Sequence, residues 1–102
     1  MRSKTKAHIL ALTVSLHLPH SHSLKERRSV INSLVKRLRH KFEAAVSETG
    51  GQETWQSAEI TIVLVSSDMK FLENIKLKIS DWIENETLGR AIMLEIKSEF
   101  FK

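Results

Sequence analysis

The feature that most constrains this chain is a change of hydrophobic period that happens twice. Residues 8–18 alternate strictly: Leu10, Leu12, Val14, Leu16 and Leu18 share one side, and Ala11, Thr13, Ser15 and His17 the other. A period of two, closed by Pro19, describes a strand covered on one face. From Leu24 to Phe42 the period lengthens. Leu24, Ile31, Leu34, Val35, Leu38 and Phe42 form one stripe at helical spacing, entered through Ser23-Leu24-Lys25-Glu26, a capping box. The pattern then repeats. A weaker strand is predicted over 43–48, a Gly-Gly turn over 49–57 and an alternating strand over 58–66 with Ile60, Ile62 and Leu64 inward. Ser67 or Asp68 can cap a second helix, whose stripe is Leu72, Ile75, Ile79, Trp82 and Ile83 and which Gly89 ends. A last strand follows over 90–98, with Ile92, Leu94 and Ile96 inward.

The order β-α-β-β-α-β, with right-handed crossovers, predicts an α+β ferredoxin-like split βαβ: four antiparallel strands with both helices on one face. With 31 Leu, Ile, Val and Phe among 102 residues, a core is available. A basic extension over 1–7 followed by a single domain over 8–102 is the expected organisation.

Charge is divided along the chain. Residues 1–42 carry ten Lys or Arg against one acid, Glu26, whereas residues 43–102 carry six basic and eleven acidic residues. Such asymmetry suggests a basic surface for a polyanionic or acidic partner. Much of the positive charge lies on the first helix. Taking Lys25 as origin, Ser29, Asn32, Lys36, Arg39 and His40 fall within about 60° of it, opposite the core stripe, while Arg27 and Arg28 flank the stripe at the first turn. Cations at a helix start oppose the dipole, at roughly a few tenths of a kcal/mol each. A merely solvated face needs no such cost and usually mixes signs. Lys25, Lys36 and Arg39 are therefore expected to contact phosphates, with Arg27, Arg28, Arg37 and His22 as secondary candidates.

The outward residues of the two central strands are Ala11, Thr13, Ser15, His17, Thr61, Val63 and Val65. None is aromatic, which argues against base stacking on the sheet. The same small, apolar face would suit a second copy of the chain, with Val63, Val65 and Met93 at its centre. His17, His20 and His22 have metal-compatible chemistry, but a strand and a turn divide them and no carboxylate is near in sequence. They are read as turn residues, and no metal or cofactor is expected. Trp55 is expected to plug the end of the core, and Trp82 to lie within it.

There is no cysteine, no Gly-rich phosphate loop and no G-x-S-x-G. Acylphosphatases share the predicted fold but need a Gly-containing anion loop with Arg, and the first turn here has no Gly. The expectation is a non-enzymatic chain. The N-terminus is basic and then apolar, but its apolar part alternates and no small-residue cleavage site follows. It reads as a strand, and the protein as cytoplasmic.

Three stretches resemble the YlxP-like family of small bacterial proteins of unknown function: "HSLKERR" (22–28), "AAVSE" (44–48) and "QETWQSAEITIVLVSSD" (52–68). The likeness covers nearly everything after residue 8. Ser57 departs from it, standing where the family usually has Arg. The resemblance implies a ferredoxin-like fold and supplies no activity. Genes of this family often neighbour those for a translation initiation factor and ribosome-binding factor A, which implies an RNA or ribosome connection. Together with the charge split, the expected function is binding of RNA or a ribosomal particle through the basic helix, the alternative being a homodimeric interaction module.

Overall fold

The computed structural model describes residues 6–51 and 54–101. Its elements are β1 (His8–His17), α1 (Leu24–Phe42), β2 (Ala45–Gly50), β3 (Ser57–Ser66), α2 (Met69–Glu86) and β4 (Ile92–Phe101). The sheet order is β2-β3-β1-β4, with every neighbouring pair antiparallel. This is the ferredoxin-like arrangement that the two changes of period predict.

The core forms where the apolar faces of the strands meet those of the two helices. Leu10, Leu12, Val14 and Leu16 of β1, Ile60, Ile62 and Leu64 of β3, and Val46 of β2 are buried under Ile31, Leu34, Val35 and Leu38 of α1 and Leu72, Ile79 and Ile83 of α2. Burying each such side chain contributes about 1.5–3 kcal/mol. Ser23 caps α1, its hydroxyl accepting from the Glu26 amide (3.1 Å) as the box predicts, whereas the Glu26 carboxylate reaches one residue past the cap and accepts from the His22 amide (2.8 Å). Asp68, rather than Ser67, caps α2 by accepting from the Lys70 and Phe71 amides.

Four local expectations are corrected. Leu24 is 47% exposed, because a first-turn side chain points back toward the helix start. β2 begins two residues later than predicted, since Glu43 closes α1 in the left-handed region (φ 51°) and Ala44 precedes the strand. Trp55 is half-exposed instead of plugging the core; buried Leu18 closes that end, its amide donating to the Gln56 carbonyl (2.9 Å).

The fourth correction is in β4. Its register against β1 shifts between Ser15 and Leu16: Ser15 opposes Glu95, but Leu16 opposes Met93, so Leu94 is the extra residue of a bulge. The alternation inverts there. Met93 packs against the core beside Ile96, whereas Ile92 and Leu94 are exposed. β4 also continues to Phe101, three residues beyond the predicted end.

Candidate nucleic-acid interface

The seven basic residues of α1 separate into two groups. Lys25, Arg28 and Lys36 are exposed, and none has an ion-pair partner among the described residues. Lys25 and Lys36 lie on the expected ridge, and Arg28 lies between that ridge and the core stripe, about 60° from the stripe's centre; with Asn32 between Arg28 and Lys36, this row is open to a ligand. Lys41 and His40 are also exposed, at the C-terminal end of the helix.

The other three arginines are engaged within the fold. Arg27 is 4% exposed. Its Nε donates to the Ser57 carbonyl (2.7 Å), and its Nη2 donates to the Gly51 carbonyl (3.1 Å) and to the Glu48 carboxylate. Arg27 is thus withdrawn from the phosphate candidates. It does not flank the stripe but falls within it, about 40° from the centre. Its charge is matched by Glu48, an inward position of β2 opposite buried Ile60. Arg37 is withdrawn too. It pairs with Glu86 of α2 and lies over the Trp82 ring, 5.7 Å from the centroid. Trp82 in turn meets Phe42 edge-to-face at 5.8 Å, so Arg37 joins the two helices by charge and by packing. Arg39 is exposed at its place on the ridge but is tethered: Nε (3.0 Å) and Nη2 (2.6 Å) both donate to the Val46 carbonyl of edge strand β2. Its net charge still contributes to the local field, but its fork is committed to the backbone. The side chain of His22 is exposed, and its backbone amide is held by Glu26.

The uncovered sheet face is small and polar at its middle. A threonine ladder crosses three strands, Thr49 to Thr61 (2.8 Å) and Thr61 to Thr13 (3.1 Å). Val63 and Val65 lie on this face, and Val65 is 66% exposed. Met93 does not join them, because the bulge turns it under the helices. In its stead the extended β4 brings Phe101 opposite Ile9, whose other neighbour is Val65, so that the three form an apolar row across β4, β1 and β3. The predicted strand stops short of Phe101, so sequence periodicity could not find this row. His17 faces the same side with its Nδ1 3.1 Å from the Gln56 carbonyl, and His20 and His22 lie in the following turn. Among the described residues no three His, Asp or Glu side chains converge as a metal set. Nor, among the described residues, is any helix long and apolar enough to cross a membrane.

Comparison with known proteins agrees with this architecture. A solved de novo designed protein, Foldit4, superposes with a TM-score of 0.56 at 9% identity, covering 94% of this chain and 97% of that one. MupZ from Pseudomonas fluorescens superposes with a TM-score of 0.53 at 12% identity, over 88% of this chain and 69% of that one. At such identities the likeness concerns the fold alone. In sequence, the chain is 44% identical over 45 residues to the uncharacterized protein YlxP of Bacillus subtilis (strain 168), a match spanning 44% of this chain and 49% of the relative, about half its length. The profile of a family described as "Protein of unknown function (DUF503)" matches residues 9–96. The chain therefore belongs to the DUF503 family of YlxP-like proteins of unknown function.

Proposed function

We propose that this protein is a cytoplasmic, non-enzymatic binding protein for RNA or a ribosomal particle, docking through the exposed face of α1. One observation carries the proposal: Lys25, Arg28 and Lys36 project from one helix face without an acidic partner among the described residues. The fold pairs the arginines it needs, Arg27 with Glu48 and Arg37 with Glu86, and leaves this row unmatched. Acids are plentiful elsewhere in the chain, so the lack of compensation is local. Such a row suits a phosphate backbone, giving binding that is salt-sensitive and weakly sequence-specific. The polar, mostly non-aromatic sheet face supports docking on the helical side rather than base stacking.

The experiment is binding of labelled ribosomal RNA fragments to wild type and to Lys25→Glu/Arg28→Glu/Lys36→Glu. Arg39 stays intact because it also caps β2. Loss of binding in a folded triple variant supports the proposal, and undiminished binding refutes it.

Stacking of two copies through the open sheet face is the less favoured reading. Glu59, Glu95 and Glu99 lie on that face, where Lys97 is the one Lys or Arg among the described strand residues, and Met93 is missing from its centre.

A further inference from the structure

The two edges of the sheet are built differently. β2 has six residues, a register shift between Glu48 and Gly50, an inward-facing charge in Glu48, and a backbone carbonyl, Val46, capped by Arg39. These are the devices by which sheet edges resist pairing with another chain. β4 is a ten-residue edge strand, and its bulge lies near the start, leaving Glu95 to Phe101 in regular register against β1. Its helix-side residues beyond the bulge are Ile96, Ser98 and Phe100, none charged. Among the described residues, no side chain or loop donates to or accepts from a β4 backbone group on the side away from β1. Beside it, Phe100 shares a shallow groove with Met69 and Leu77 of α2, and Leu77 is 63% exposed.

We infer that β4 pairs antiparallel with β4 of a second copy of this chain, joining two four-stranded sheets into one of eight strands. The side chains select the partner and the register. A two-fold axis through Ser98 sets Lys97 opposite Glu99 of the other copy, twice, on the open face. It also sets Ile96 opposite Phe100, twice, on the helix face beside Leu77. Opposite charges and apolar pairs directly across a ladder both stabilise it. An isologous contact of this kind closes at two copies. α1 lies over the β2 side of the sheet and α2 nearer β4. The dimer therefore carries its two α1 helices on one face, at the outer ends. The inference stands whether or not α1 binds RNA.

The test is the mass of the full chain by sedimentation equilibrium across a concentration series, with circular dichroism to check folding. Wild type is expected to be a dimer. Lys97→Glu should weaken association at least about tenfold by placing Glu opposite Glu at two sites, and Lys97→Glu/Glu99→Lys should restore it. Amide exchange should be slowed at alternate residues between Glu95 and Phe101 in wild type and fast in Lys97→Glu. Val65→Lys, on the open face away from the edge, should leave the dimer intact. A wild-type monomer at high concentration overturns the inference. So does a dimer that Lys97→Glu leaves unchanged or that Val65→Lys dissociates.

Discussion

The Arg27 guanidinium and the Glu48 carboxylate are ion-paired beneath the first turn of α1, and the same guanidinium donates to the Ser57 and Gly51 carbonyls. One side chain thereby fixes the start of α1 to β2, to the first residue of β3 and to the turn between them. Arg27→Met leaves Glu48 and two carbonyls without their donor. It should cost about 2–4 kcal/mol, read as a shift in urea midpoint at unchanged slope. Arg27→Lys should recover little of this, since an ammonium cannot reproduce the fork. The double variant Arg27→Met/Glu48→Leu should be more stable than Arg27→Met, because it removes the stranded carboxylate.

This pair also marks where periodicity runs out. The strand and helix alternations reveal the element order, both helix stripes and most of the core, because burial repeats at two spacings that any single element can display. They do not reveal that a cation inside a stripe has a carboxylate waiting on another strand. A signal was present: Arg27 at a core angle and Glu48 two residues after buried Val46 both break the apolar pattern. Pairing them, however, requires the register of β2 on β3. The bulge at Leu94 is hidden for a related reason. Ile92, Leu94 and Ile96 alternate perfectly as sequence, and only the pairing with β1 shows that Met93 replaces Leu94 inside. Of the candidate site, Lys25 and Lys36 were legible because an exposed cation needs only the helix phase to place it, whereas Arg28, whose phase sets it beside the core stripe, was legible only as a secondary candidate. Arg37 and Arg39 were not, because their partners lie on α2 and β2.

The inverted end of β4 can be checked by stability. Met93→Lys should destabilise the protein by about 1–3 kcal/mol, since it carries a charge beneath the helices. Leu94→Lys should change stability by less than about 0.5 kcal/mol, as Leu94 is 66% exposed. Thermal or urea unfolding of the two variants decides it, and the opposite order would place the bulge elsewhere.

The two turn glycines with positive φ should respond unequally to alanine. A Cβ on Gly51 (φ +75°) would lie 2.9 Å from the Ala58 Cα, whereas one on Gly89 (φ +81°) meets nothing within 4 Å. Gly89→Ala should cost about 1 kcal/mol, the left-handed penalty alone. Gly51→Ala should cost at least about 1 kcal/mol more, because backbone of β3 must move. Denaturant midpoints measured side by side test the difference.

Glu43 is the reverse case, a side-chain residue held at φ 51° where α1 ends. Glycine is the usual residue at such a position. Glu43→Gly should raise stability by roughly 0.5–1 kcal/mol, partly offset by the added freedom of the unfolded chain, and a higher melting temperature is the expected readout.

If the open row on α1 contacts phosphates, the affinity for RNA must fall steeply as salt rises. With three phosphate contacts, raising salt from about 50 to about 200 mM should weaken wild-type binding roughly 20–40-fold. Wild type should show that slope, and folded Lys25→Glu/Arg28→Glu/Lys36→Glu should show little or no measurable binding. Wild-type binding that is indifferent to salt, or a triple variant that binds with the wild-type slope, would rule out phosphate contact by this row.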